Sequence, residues 1–192
     1  MKYLLIAVIS YCLGSLPFSY LIGEKFFGID IRSKGSGNPG TTNAFRAFGA
    51  KAGVFTLILD MLKGAIAVII GRYLGGQEGA LLALLFAPMG HIFSFILKFK
   101  GGKGVATTGG ALIAVDYRVA LVLLVVFIII FLTSRIVSLA SIIAAALATF
   151  VVIYFYGFSY FALVVLILAL TIIIKHRSNI KRLINKTEKK MF

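Results

Sequence analysis

The chain alternates long apolar runs with short polar connections, and the runs have the length of membrane crossings. A helix needs ~20 apolar residues to traverse a hydrocarbon layer of ~30 Å. Four runs meet that length, at residues 3–22, 52–70, 79–97 and 136–156, and a fifth, 158–174, follows a bend at Gly157. The stretch 105–133 is too long for one straight span and is interrupted by Asp116-Tyr117-Arg118. A charge at the bilayer centre costs ~2.5–3.5 kcal/mol on insertion scales. The pattern therefore predicts a turn at Asp116 and Arg118, with a short helix Val105–Val115 before it and a longer one after it. At about 1.5 Å per residue the short helix covers only ~16 Å. The expected fold is all-α: a polytopic integral membrane protein of seven transmembrane helices forming a single domain, 1–192. Treating 105–133 as one tilted helix gives the six-helix alternative.

Charge selects between them. The chain carries 20 Lys and Arg against 6 Asp and Glu, a net charge of +14. With the connection 23–51 placed in the cytoplasm, seven crossings put sixteen of the twenty cations on that side. Lys2, Arg72 and Arg118 fall outside, and Lys63 falls within a span. That asymmetry is the one the positive-inside rule requires. Six crossings would strand the seven cations of the basic tail, from Lys175 onward, on the wrong side. The seven-helix reading places the N-terminus outside and the C-terminus in the cytoplasm.

Composition narrows the class further. The chain is 60% hydrophobic and 14% charged, with a mean hydropathy of +1.04. Soluble domains hold ~45–50% apolar and ~25% charged residues, so a soluble enzyme is excluded. The positive charge does not indicate nucleic acid, because the cations sit in short clusters between apolar runs. The first run is longer than the ~7–15 residues of a signal-peptide core and reads as the first span. One cysteine, Cys12, provides no disulfide framework, and two distant histidines with six scattered acids provide no metal cluster. No metal or cofactor is expected. Ala140, Ala144 and Ala148, four apart, read as close helix packing.

Three polar stretches on the cytoplasmic side do not belong to a membrane scaffold. The first is Arg32-Ser-Lys-Gly-Ser-Gly-Asn-Pro-Gly-Thr-Thr-Asn-Ala-Phe-Arg46. It matches G-x-G-x-x-G at 35–40, but without the strand and βαβ unit that a dinucleotide site needs. Gly35, Gly37 and Gly40 permit close backbone approach, so successive N–H groups can form an anion-binding nest. Ser36, Asn38, Thr41, Thr42 and Asn43 add neutral hydrogen-bonding groups, and Arg46 adds a fork suited to phosphate. The second stretch runs from Gly90-His91 to Thr107. There Gly101, Gly102 and Gly104 bracket Lys103 ahead of a helix N-terminus, again an arrangement for phosphate. Lys98 reads as a positive-inside anchor. The third, 175–188, is a basic interfacial helix that places His176, Asn179 and Leu183 on one face. Asp60 and Lys63, three apart in the second span, are positioned to pair.

The three stretches together resemble the bacterial acyl-phosphate-dependent glycerol-3-phosphate acyltransferases, the PlsY family. G-S-G-N-x-G-x-T-N-x-x-R stands at 35–46, G-H-x-F with F-K-G-G-K-G-V-A-T at 90–107, and H-R-x-N-I-x-R-L at 176–183, with Glu188 at the usual offset. The chain departs from the family at Ser94, commonly proline, and at Lys186, commonly glycine. The resemblance implies acyl transfer from an acyl phosphate to the 1-hydroxyl of glycerol 3-phosphate, the first acylation of phospholipid biosynthesis, giving lysophosphatidic acid and inorganic phosphate. It implies a catalytic set of Ser36, Asn38, Thr41, Asn43, His91, Lys103 and His176. It also implies a substrate-binding set of Gly35, Gly37, Gly40, Arg46, Lys100, Gly101, Gly102, Gly104, Thr107, Asn179 and Glu188. The partners are then glycerol 3-phosphate, acyl phosphate and membrane lipid, with no nucleic acid, at the bacterial inner membrane with the active site facing the cytoplasm.

The residues fit that chemistry in their own right. There is no nucleophile elbow, and no His-x-x-x-x-Asp pair, since Ile96 and Lys181 stand at the aspartate offset from His91 and His176. An acyl phosphate carries a good leaving group, so positioning and charge neutralisation suffice for much of the barrier. The hydroxyl proton has two acceptors available, a substrate phosphate with second pKa near ~6 or His176. A transporter of a phosphate-bearing solute is the alternative. It accounts for the basic mouth but not for polar groups confined to one side.

Overall fold

The computed structural model describes residues 1–191. Among them the chain is helical with no strand, and it forms two compact units, Met1–Val115 and the part from Asp116 onward.

The first unit begins with α1 (Lys2–Gly14) and α2 (Phe18–Ile22), the latter running on through a π-helical turn, Gly23–Phe27. The apolar run 3–22 is therefore broken, and Pro17 is the cause. Its ring disfavours helical geometry at Leu16 and it has no N–H to donate. The carbonyl of Leu16 accepts a hydrogen bond from Lys63 Nζ instead, at 2.7 Å.

Next comes α3 (Thr41–Ile92), 52 residues long. A straight helix of that length would extend ~78 Å, more than twice the thickness of a hydrocarbon layer. It is interrupted at Gly49 (φ 86°, ψ 179°) and Gly76 (φ 64°, ψ −148°), backbone states in which an L side chain is strained. Three pieces result, 41–48, 50–75 and 77–92. At Gly76 the chain reverses: Gly71 and Gly79 meet so closely that a Cβ on either would overlap the other's carbonyl oxygen. The same kind of seam joins α1 to the 77–92 leg, at Gly14 against Ala87 and Gly90 against Tyr11. It also joins α4 (Val105–Val115) to the 50–75 leg, at Gly64 against Thr107 and Gly110 against Met61. Small residues that let backbones touch are how helices associate where lipid removes the hydrophobic drive.

The second unit holds α5 (Tyr117–Ser134), α6 (Val137–Tyr156), α7 (Tyr160–Lys175) and α8 (Arg177–Ile184). Asp116 is extended and caps α5 through the Arg118 N–H at 2.8 Å, in the turn that the charge pattern predicts. Arg118 Nη2 reaches Asp116 Oδ2 and the Tyr156 hydroxyl, each at 2.8 Å. Tyr156 also donates to Asp116. Gly157 (φ 63°) ends α6 at the expected bend. Ala140 and Ala148 are buried, as close packing requires.

Among the described residues, four helical runs are long and apolar enough to cross a membrane, and a fifth qualifies if α7 and α8, bent by 58°, count as one. Large apolar side chains such as Leu124, Ile129 and Leu132 of α5 lie exposed on their surfaces, as lipid contact demands.

Candidate active site

In the first polar stretch the loop 30–40 is a rigid object pinned by one asparagine. Asn43 is 2% exposed. Its Oδ1 accepts from the Ser36 N–H at 2.9 Å, and its Nδ2 donates to the carbonyls of Lys34 (3.0 Å) and Ile31 (3.2 Å). Gly35 (φ 58°) passes against this amide so tightly that a Cβ would overlap Asn43 Oδ1. At the loop's start, Asp30 pairs with Arg32 at 2.6 Å. That Arg32 hydrogen bond holds the Asp30 carboxyl below its ordinary range.

The expected nest of loop N–H groups is largely occupied by the loop itself. Ser36 N–H serves Asn43, Gly37 N–H serves the Lys34 carbonyl at 3.0 Å, and Gly40 N–H serves the Asn38 carbonyl at 2.9 Å. The helix start has no such side-chain partner: Gly40 caps Thr41–Ile92 without a side-chain cap bond. Thr41 Oγ1 is buried with no hydrogen-bond partner in the protein. Arg46 lies exposed on the same short helix.

The second stretch folds back on the end of α3. Gly101 N–H donates to the Ile92 carbonyl (3.2 Å) and Gly102 N–H to the His91 carbonyl (3.1 Å). A Cβ on Gly102 would overlap His91 Nε2, so the imidazole and the glycine-lysine loop are in direct apposition. Lys103 is half-buried between Gly102 and Gly104 (φ 85°), and Thr107 Oγ1 and Thr108 Oγ1 in the first turn of α4 are buried without a partner. Lys98 and Lys100 are exposed beside Phe95, Ile96 and Phe99.

Behind the histidine lies a group whose role the sequence leaves open. Asp60 is 1% exposed and Lys63 3%, and Lys63 Nζ lies 2.7 Å from Asp60 Oδ1. The same ammonium is 2.8 Å from His91 Nδ1. The signal that could have found this was the pair of intramembrane charges, which are functional by default.

The third stretch belongs to the second unit. His176, 2% exposed, sits at the α7–α8 bend with Nδ1 2.8 Å from the Ile172 carbonyl. A carbonyl only accepts, so Nδ1 carries the proton. Glu188 accepts from Asn179 Nδ2 (2.7 Å) and Ser138 Oγ (2.8 Å) on Oε1, and from Arg182 Nε (2.5 Å) on Oε2. Two members of the expected substrate-binding set, Asn179 and Glu188, thus hold each other and fasten the tail to the start of α6.

Burial pushes the Glu188 carboxyl up, but the hydrogen bonds from Arg182, Asn179 and Ser138 outweigh it and leave its pKa below the ordinary 4.5. A carboxylate with a lowered folded-state pKa stabilises above the unfolded value, and that contribution fades as pH falls through the folded one. Met191 N–H, bonded to the Arg135 carbonyl at 2.8 Å, reports the docking. Its hydrogen-exchange protection factor is expected to drop progressively below pH ~4.3. In Glu188→Gln, protection is expected to be lower at neutral pH and flat across that range.

With this geometry in place, the comparison with known proteins is direct. The sequence profile described as glycerol-3-phosphate acyltransferase matches residues 4–186. The chain belongs to the glycerol-3-phosphate acyltransferase family. It is 43% identical to glycerol-3-phosphate acyltransferase 2 of Moorella thermoacetica, over 98% of this chain and 97% of the relative. The glycerol-3-phosphate acyltransferase of Bacillus subtilis is 41% identical, over 97% and 96%. Among solved structures it resembles PlsY (YgiH), an integral membrane glycerol 3-phosphate acyltransferase, in its glycerol 3-phosphate form. That likeness has a TM-score of 0.93 at 38% identity, covering 99% of this chain and 96% of the other. The lysophosphatidic acid form of the same protein gives a TM-score of 0.91. As a glycerol-3-phosphate acyltransferase, this chain is a multi-pass membrane enzyme of bacterial type.

The two departures from the family pattern have structural readings. Ser94 is buried after the end of α3, and its hydroxyl donates to the Ser15 carbonyl at 2.6 Å, so a hydrogen bond fastens the helix end where a proline ring would stiffen it. Lys186 has φ 57°, the left-handed state in which glycine is at ease.

Proposed function

We propose that this chain transfers an acyl group from an acyl phosphate to the 1-hydroxyl of glycerol 3-phosphate, releasing inorganic phosphate and lysophosphatidic acid. The observation that carries the reading is the near-full-length likeness to a glycerol 3-phosphate acyltransferase captured in forms with glycerol 3-phosphate and with lysophosphatidic acid.

The 1-hydroxyl oxygen attacks the acyl carbonyl carbon, the bond from that carbon to the phosphate oxygen breaks, and phosphate departs with the electron pair. The protein's task is to hold two phosphates and align hydroxyl with carbonyl. The open N-terminus at Thr41, with Arg46 one turn on, takes one phosphate, and the Gly101-Gly102-Lys103-Gly104 loop with Thr107 takes the other. Asn43 acts by holding the first loop in shape, while Ser36, Asn38 and Thr41 present groups to the substrates. The hydroxyl proton passes to a substrate phosphate or to His176. Lys100 adds positive charge beside the loop. The whole chain serves as one acyltransferase, with seven crossings formed by 2–27, 50–75, 77–92, α4, α5, α6 and α7. The N-terminus is outside and the active site faces the cytoplasm across the inner membrane. The excess of cations on that side supports this, as do two contacts within units: Tyr3 with Glu78 at the outer end, and Arg135 with Met191 at the inner end.

Purified protein incubated with glycerol 3-phosphate is expected to form lysophosphatidic acid and phosphate from palmitoyl phosphate and not from palmitoyl-CoA. No product from either donor would overturn the assignment. Arg46→Lys is expected to raise KM for glycerol 3-phosphate more than it lowers kcat, because the two-pronged contact is lost. An unchanged KM would remove Arg46 from that role.

A further inference from the structure

The Asp60–Lys63–His91 cluster offers more than a buried ion pair. Three atoms surround the Lys63 amine: the Leu16 carbonyl oxygen at 2.7 Å, Asp60 Oδ1 at 2.7 Å in an ion-pair contact, and His91 Nδ1 at 2.8 Å. An ammonium has three N–H groups and no lone pair; its hydrogen bonds go to the Leu16 carbonyl and His91 Nδ1, and Asp60 Oδ1 supplies the counter-charge. The Leu16 carbonyl is available only because Pro17 breaks the first span. Asp60 Oδ1 is 3.5 Å from His91 Nδ1, beyond a good hydrogen bond, so the ring's near partner is the lysine. A nitrogen facing an ammonium at 2.8 Å must accept. The proton of the neutral ring is then on Nε2, the atom set against Gly102.

We propose that Asp60 and Lys63 are positioning residues that lock His91 in the Nε2–H form. His91 thereby presents a fixed N–H donor to an anionic oxygen in the glycine-lysine loop and does not take the reaction's proton. His176 differs in that its Nδ1 donates to a backbone carbonyl, so the two histidines use the same ring nitrogen in opposite ways, one accepting and one donating. The anionic oxygen belongs either to a substrate phosphate or to the developing tetrahedral oxyanion. The donor role rests on the acyltransferase reading above; the tautomer does not.

The test is nitrogen-15 NMR of the full-length protein, labelled at histidine, in lipid nanodiscs at neutral pH, with His176→Gln assigning the two rings. The expected result is an unprotonated Nδ1 and a protonated Nε2 for His91, with the lock lost to averaged tautomers in the Asp60→Leu/Lys63→Met double variant. A protonated Nδ1 in the wild type, or an unaltered His91 signature in the double variant, would overturn the lock. Because this readout needs no turnover, its failure is separate from failure of the acyltransferase assignment. For the donor role, His91→Gln places an amide N–H where Nε2–H stood, whereas His91→Asn mimics Nδ1. With palmitoyl phosphate and glycerol 3-phosphate, the glutamine variant is expected to keep at least ~10-fold more kcat/KM, the factor that a hydrogen bond of ~1.4 kcal/mol represents. Equal losses would overturn the donor assignment.

Discussion

Gly102→Ala is expected to lower kcat/KM for acyl transfer by ~100-fold while leaving the fold in place. The new methyl group would lie far inside contact distance of His91 Nε2, and neither neighbour yields easily. The imidazole is held from behind by Lys63, and the loop is tied to the end of α3 by the N–H groups of Gly101 and Gly102. A displacement of about 1 Å at reacting or orienting groups is enough for a loss of that order. Gly109→Ala is the control, because a Cβ there meets nothing within 4 Å. It is expected to keep wild-type kinetics and gain ~0.5–1 kcal/mol of helix stability. The comparison is made by steady-state kinetics and thermal unfolding of both variants in the same detergent. Equal kinetic loss in the two would show that any added methyl in this region disturbs the enzyme, and would remove the special place given to the His91–Gly102 contact.

Lys63→Met is expected to destabilise the protein by ~3–5 kcal/mol, and the added change Asp60→Leu is expected to restore most of it. The single change leaves a carboxylate buried without its counter-charge, whereas the double change replaces the pair with apolar groups of similar bulk. The Leu16 carbonyl loses its donor in both variants, so a loss of ~1–3 kcal/mol is expected to remain after the double change. Unfolding midpoints in a mild detergent decide the matter. If the single variant is no less stable than the double, the pair is not a charged unit. The double variant then separates stability from chemistry, since it is a folded protein in which His91 has lost its orienting partner.

How far the sequence reaches depends on the kind of signal. The break at Asp116, the 11-residue Val105–Val115 helix and the bend at Gly157 are legible, because a charge or a glycine within an apolar run has few places to go. The break at Pro17 is missed by counting apolar residues, since a single proline barely changes the mean hydropathy of a long run even though its ring ends the helix. The reversal at Gly76 is legible as a gap between apolar runs, but not as the tight seam of Gly71 on Gly79. In the site, residue types suited to phosphate are visible in the sequence, whereas the division of labour among them is not. Asn43 and Asn38 look alike on the page. Only the fold shows that both ends of the Asn43 amide are taken up by the loop it shapes. Glu188 and Asn179 likewise stand as separate polar residues in the sequence, and only three-dimensional proximity shows the hydrogen bond between them.

The glycine seams of the first unit carry a consequence for handling the protein outside its native bilayer. Gly14 on Ala87, Gly90 on Tyr11, Gly71 on Gly79, Gly64 on Thr107 and Gly110 on Met61 bring main chain against main chain, leaving no layer of side chains for amphiphile tails to infiltrate. Cohesion of that kind draws on contact distance rather than on the solvent around it. The first unit should therefore tolerate small, aggressive detergents. The second unit, whose tail is fastened by the hydrogen bonds of one carboxylate, should be the part that loosens first and sets the shelf life of a purified sample.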